Sequence, residues 1–214
     1  MTYRYCAIGD SLTTGFGTLA GGGFVPLYRR AAESRLHTGV AAVNLGINGL
    51  DSAELADKVS RDPLFRRSLR GAQLITVSIG GNDLIRAARR RAAAREMERT
   101  LEACKRNCAS VLNDLYRLKA QTGEPYIIRM VGLYNPYPQW EEAAVWVRRY
   151  NRYAAGLSNG IFSFADIYDP FARYGRRLLS LDGVHPNREG YRVIADRLDA
   201  LGYGVLGWGT PSRR

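Results

Sequence analysis

The sequence is short of several residue types, and each scarcity excludes something. It has three cysteines and two histidines in 214 residues. Three cysteines make no disulfide framework. Cys104 and Cys108 stand four apart on an expected helix, a geometry that suits a disulfide poorly. Neither His37 nor His185 is near them in sequence, so a zinc site is not expected. Free thiols are the expectation, with Cys6 a small core residue. Lysine is scarcer still: only Lys58, Lys105 and Lys119 occur among 31 basic residues. Arginine therefore carries nearly all of the net charge of +11. A basic balance points to nucleic acid, an anionic membrane surface or an acidic substrate.

The densest basic run is "RAARRRAAAREMERTLEACKRN", residues 86–107. It lacks aromatic side chains, which counts against a single-strand nucleic-acid platform. Glu96, Glu98 and Glu102 interleave with the arginines, as on a solvated helical face. No nucleic acid partner is expected; weak contact with an anionic membrane surface is the association this run allows. No apolar run reaches eighteen residues, so no membrane span is expected. "MTYRYCAIGDS" lacks the order of a signal peptide. The expectation is a cytoplasmic protein, or one exported by a route not visible in the sequence. No GK[ST] loop occurs, and the glycines at 15, 17 and 21–23 lack G-x-G-x-x-G spacing, which disfavours a nucleotide phosphate site. Without a repeat or a break in composition, residues 1–214 read as one domain, with an irregular tail from about 203.

What is present is an alternation of strand and helix. Strands are expected at 3–9, 40–46, 72–81, 125–133 and 161–167, apolar and bounded by glycine or turn residues. Helical periods fall at 24–36, 51–60, 92–121, 141–157 and 187–201. Asp51 and Glu54 have capping-box spacing, and Asn187 is placed as an N-cap. Five short strands separated by helices predict a parallel sheet covered on both faces, a three-layer α/β/α domain. In such sheets chemistry gathers at the carboxyl ends of the strands.

The candidate residues lie there. Asp10 and Ser11 follow the first strand, Gly46 and Gly49 the second, Asn82 and Asp83 the third. "DGVHPN" precedes the last helix and holds Asp182 and His185. A serine hydroxyl needs a base, and the base needs an orienting group. Ser11, His185 and Asp182 can fill those roles, since three residues of spacing let a turn bring the carboxylate to the imidazole. A tetrahedral intermediate also needs hydrogen-bond donors for its oxyanion. The Ser11 N–H, a glycine N–H at the second strand's exit and the Asn82 amide are candidates. Gly-Asp-Ser, Gly-Gly-Asn-Asp and the Asp-His pair each read singly as ordinary turns; together, each at a strand exit, they point to catalysis.

"GDSLTTGFG", "NLGINGLDSAEL", "ITVSIGGNDL" and "DGVHPNREGY" resemble the four blocks of the GDSL, or SGNH, hydrolase family over residues 7 to about 195. "GLYNPYP" and the asparagine of "RRYNRY" resemble bacterial GDSL-type lipases and acylhydrolases, including spore-germination lipases. The resemblance implies a flavodoxin-like sheet and a serine esterase mechanism without metal or cofactor. It matches Ser11 to the nucleophile, His185 to the base, Asp182 to the orienting acid and Asn82 to the oxyanion asparagine. For the oxyanion glycine, Gly49 is favoured over Gly46. Asp10 and Asp83 are assigned to holding their loops. Asp10, Phe16, Leu84, Tyr134, Tyr137 and Trp140 are the residues expected around the substrate, a small-molecule or lipid ester. A carbohydrate O-acetylesterase is the close alternative. A basic surface-binding module without hydrolysis is the alternative from another class.

Overall fold

The computed structural model describes residues 2–18 and 22–207. Five parallel strands form one sheet in the order β2-β1-β3-β4-β5: β1 Tyr3–Gly9, β2 Val40–Gly46, β3 Leu74–Ser78, β4 Ile127–Val131 and β5 Phe162–Ala165. β3 and β4 are buried throughout, as apolar runs without alternation require in a sheet covered on both faces. On one face lie α2 (Phe24–Leu36), α8 (Tyr168–Tyr174) and α9 (Arg188–Ala200). On the other lie α3 (Ser52–Arg61), α4 (Pro63–Gly71), α5 (Gly81–Arg89), α6 (Ala94–Ala120) and α7 (Glu141–Gly156). A four-residue helix, α1 (Ser11–Thr14), follows β1 directly. Among the described residues, no helix is long and apolar enough to cross a membrane.

Two local expectations change. The third strand stops at Ser78 instead of 81, because the chain turns at Gly80 with φ +104°. A Cβ there would stand 2.9 Å from the Tyr150 ring and 3.0 Å from Cys104 Sγ, so only glycine fits the corner. The tail is not wholly irregular: Gly204–Leu206 is a 3₁₀ turn, and Tyr203 and Leu206 are buried. Residues 208–214 lie outside the described part. Four helices, α1, α4, α5 and α8, were not expected. α4 carries a readable signal, with Asp62 capping the Leu64 and Phe65 N–H groups and Pro63 in the first turn.

All three cysteines are free and buried, and burial pushes the Cys6 thiol up to about 12 and the Cys108 thiol up to about 11. Three basic residues of the run are paired: Lys105 with Glu102 at 2.6 Å, Arg86 with Asp51 at 2.9 Å and Arg90 with Glu96 at 3.7 Å, while Glu98 is taken by Arg149 of α7 at 2.6 Å.

Candidate active site

The site begins where β1 ends. Gly9 has φ +139°, and its register partner in β3 is Ser78. The Asp10 N–H donates to the Ser78 carbonyl at 3.1 Å, and the Asp10 carboxylate accepts from Leu12 N–H at 3.0 Å and Ser78 Oγ at 2.8 Å. Asp10 is thus the N-cap of α1 and its anchor to the neighbouring strand. It is buried beneath Ser11 and does not line the cleft expected for substrate, so of its two expected roles the structure places it in the loop-holding one.

Burial raises the Asp10 pKa; hydrogen bonds from Ser78 and Leu12 oppose this, and the net value is about 6. The folded state therefore holds this proton more tightly than the unfolded chain. The associated stability is present below about pH 4 and is lost as pH rises to about 6. Asp10→Asn keeps an acceptor oxygen without the charge. Relative to the parent, it is expected to gain up to about 3 kcal/mol between pH 4 and pH 7. Urea unfolding of both proteins at the two pH values measures this; an equal difference at both would rule out a buried titrating Asp10.

Ser11 opens α1 and is itself 8% exposed. Its Oγ lies 2.9 Å from His185 Nε2, and His185 Nδ1 lies 2.5 Å from Asp182 Oδ2. The other carboxylate oxygen of Asp182 accepts from Ser180 Oγ at 2.7 Å and from the N–H groups of Val184 and His185, each at 2.9 Å. Partial burial raises the Asp182 pKa, but these hydrogen bonds outweigh it and hold the carboxyl well below the usual range. Asp182 is therefore an anion across the neutral range. The His185 loop is fixed from two sides: Tyr134 Oη donates to the Val184 carbonyl at 2.5 Å, and the Phe16 ring packs on the imidazole at 4.6 Å. His37 caps the far end of α2 and takes no part.

The second strand's exit loop approaches from the side. Gly46 and Gly49 differ in one decisive way. The Gly46 N–H is already given to Asn44 Oδ1 at 2.9 Å, whereas the Gly49 N–H has no acceptor among the described residues. Gly49 has φ +79°, a conformation that glycine adopts freely. The Ser11 N–H likewise has no acceptor among the described residues. Asn82, in the first turn of α5, donates one amide hydrogen to the Leu50 carbonyl at 2.9 Å and keeps the other. Asp83 accepts from the Ser52 N–H at 3.0 Å and its hydroxyl at 2.6 Å, tying α5 to α3 as a loop-holding residue would.

Three contributors are not evident in the sequence. Arg86 donates to the Gly49 carbonyl at 2.6 Å and to Asp51 at 2.9 Å, strapping the glycine loop to α5. Asn44 bridges that loop to α1 through the Thr13 carbonyl at 2.7 Å. Tyr191 Oη donates to the Phe16 carbonyl at 2.7 Å and steadies the segment after α1. Arg86 stands one helical turn after Asn82, a spacing that is the only available signal.

A cleft of about 350 Å³ opens among α5, α6, α7 and the loop after β4. Leu84, Tyr134, Tyr137 and Trp140 line it as expected, with Met97 and Leu133 adding apolar wall. Phe16, expected in the wall, does not line this cleft; its ring packs against His185. The cleft reaches inward to Gly81, where a Cβ would stand 3.8 Å from Leu133 and 4.0 Å from the Asp10 carboxylate. Its inner end thus abuts the Ser11 corner.

Known proteins share this plan. The spore germination lipase LipC of Bacillus licheniformis is 32% identical over 96% of this chain and 99% of its own length. The crystal structure of the lipase Lip_vut3, from a goat rumen metagenome, is 30% identical with a TM-score of 0.90, covering 95% of this chain and 99% of that one. A catalytic mutant of Axe2, an acetylxylan esterase from Geobacillus stearothermophilus, is 17% identical with a TM-score of 0.69 over 91% of each chain, and shares the fold. Residues 7–193, which span all four strand-exit blocks, match the GDSL-like lipase/acylhydrolase family, and the chain belongs to it as a carboxylic ester hydrolase.

Proposed function

We propose that the enzyme cleaves acyl esters through an acyl-serine intermediate, with Ser11 as nucleophile, His185 as general base and Asp182 as the group that orients and stabilises the imidazolium. The observation that carries this reading is the unbroken chain Asp182–His185–Ser11, at 2.5 and 2.9 Å. His185 Nε2 takes the hydroxyl proton as Ser11 Oγ attacks the ester carbonyl. The same proton passes to the leaving alkoxide, and water then repeats the sequence on the acyl-serine to release the acid. The ionised Asp182 holds Nδ1 protonated, so that Nε2 is the basic nitrogen.

The Ser11 N–H, the Gly49 N–H and the free amide hydrogen of Asn82 form the oxyanion hole in this reading. Two are backbone donors without another acceptor, and the third is held by the carbonyl next to Gly49. Each such donor is worth roughly 3 kcal/mol at the transition state.

The apolar cleft receives the acyl chain. Its volume and its Leu84, Met97 and Leu133 walls favour a lipase-type acylhydrolase over an O-acetylesterase, because an acetyl group would leave most of it empty. A p-nitrophenyl ester series from acetate to palmitate tests this. kcat/KM is expected to climb well beyond the acetate and butyrate esters. A maximum at acetate that falls with every added carbon would favour the carbohydrate deacetylase instead. No hydrolysis anywhere in the series would reject both.

A further inference from the structure

Two stretches of the sequence that resemble bacterial lipases, "GLYNPYP" and the asparagine of "RRYNRY", meet in the structure. The asparagine is Asn151 of α7, and it is buried. Its side-chain oxygen accepts from the Leu133 N–H at 2.9 Å, and its amide donates to the Leu133 carbonyl at 2.8 Å. One buried side chain thus satisfies both backbone groups of the residue before Tyr134, just past the end of β4. The Gly132 N–H adds a bond to the Ala165 carbonyl at 2.9 Å. The Tyr134 ring stacks on Phe171 of α8, with centroids 4.2 Å apart and planes 20° apart.

That grip delivers the Tyr134 hydroxyl to one acceptor, the Val184 carbonyl, at 2.5 Å. Burial raises the phenol's pKa well above its usual value, so the group remains a donor across the neutral range. The Val184 carbonyl belongs to the peptide unit that leads into His185. The N–H of that same unit donates to Asp182 Oδ1 at 2.9 Å. The planar unit is therefore held at both ends, and its orientation sets the direction in which the His185 side chain leaves the backbone.

The two holds differ in kind. Asp182 is three residues from His185, so its bond closes the turn without fixing the turn against the sheet. Other bonds tie the turn to its own stem: the Ser180 N–H donates to the His185 carbonyl at 2.7 Å, and the Gly183 N–H to the Ser180 carbonyl at 3.0 Å. Among the described residues, only two hydrogen bonds reach residues 181–185 from outside 178–187. One is that of Ser11 Oγ with the imidazole, and the other is that of Tyr134.

We propose that Tyr134 is a positioning residue, which holds the Val184–His185 peptide so that Nε2 stays aligned with Ser11 while the imidazole takes and returns the proton. The proposal rests on the reading of Ser11, His185 and Asp182 given above. Displacing a reacting group by about 1 Å costs up to about a hundredfold in rate, so a tie from the sheet to the base is worth having. A buried phenol also needs an acceptor for its own sake. What separates the two roles is whether turnover depends on the bond.

Tyr134→Phe is the test, because it removes the hydroxyl and keeps the ring on Phe171 and in the cleft wall. On a soluble short-chain ester, kcat is expected to fall about tenfold to a hundredfold, with KM within about twofold of the parent's. The order of preference across the p-nitrophenyl series should not change. Tm should fall by no more than about 4 °C, as for the loss of one hydrogen bond. The proton between His185 Nδ1 and Asp182, read far downfield by NMR, should broaden as the pair loosens. In an Asp182→Asn background the same change should cost less than about threefold, since the base it aligns is already impaired. Parent-like kcat, a raised KM at unchanged kcat, or a shifted chain-length preference would overturn the proposal. So would a sharp downfield proton beside a lowered kcat, or the full loss recurring in the Asp182→Asn background. Asp182→Asn alone separates the two readings. If it turns over like the parent, the reading of the three residues fails. If it is impaired while Tyr134→Phe is not, the role of Tyr134 fails and that reading stands.

Discussion

Ser11→Ala is expected to lower kcat by about a million-fold, with the fold intact and KM nearly unchanged. The side chain makes its hydrogen bond to His185 and to nothing else among the described residues. The neighbouring contacts that shape the corner belong to its backbone, to Asp10 and to Thr14, and alanine keeps α1 helical. The proposed oxyanion donors and the cleft also survive, so a residual rate above that in water should remain. A fluorophosphonate probe supplies the second measurement. The parent should gain one adduct on the Ser11 peptide and the variant none. A variant with unchanged turnover, or an adduct on another residue, would remove Ser11 from the nucleophile's role.

Gly9→Ala is expected to be the most damaging single methyl group in the protein. An added Cβ would stand 2.1 Å from the Ser78 carbonyl oxygen and 2.5 Å from Ser78 Oγ, at a residue already at φ +139°. The neighbour cannot yield. Ser78 is in β3, its carbonyl accepts from Asp10, and its hydroxyl is bonded to Asp10 and to Thr13 at 2.7 Å. β1 and β3 would have to part at the centre of the sheet. The cost is expected to exceed about 4 kcal/mol, which for a chain of this size lowers Tm by about 10 °C or more. Gly123→Ala is the control. It too has positive φ, at +63°, but nothing lies within 4 Å of its Cβ position. It should cost only the local strain, about 1 kcal/mol. Comparable melting curves for the two variants would refute the steric account.

The layers, the five strands and the convergence of four blocks at one sheet edge are legible in the residues, because apolar runs and bounding glycines are local signals. Helix α5 was hidden by those same signals. "ITVSIGGNDL" reads as strand through Gly81, and only the close approach of Tyr150 and Cys104, residues far along the chain, explains the corner at Gly80. The choice between Gly46 and Gly49 was open for a similar reason. Both are glycines after a strand, and what separates them is the side chain of Asn44 occupying one N–H. Arg86 was concealed by its company: among so many arginines in 86–107, none stands out by composition. Its partners are a backbone carbonyl and an aspartate on a different element, which no sequence period reveals.

Helix α5 has a mechanical consequence. Asn82 and Arg86 grip two successive carbonyls, those of Leu50 and Gly49, while Leu84, Ile85 and Ala88 of the same helix line the acyl cleft. In the proposed reading, one rigid rod therefore carries both the wall that would measure the acyl chain and the clasp that would aim the oxyanion donors. A chain that fills the cleft would steady the rod, and a short one would leave it unloaded. Substrate length should then register in turnover as well as in affinity, with binding energy from the remote methylenes spent where the charge develops.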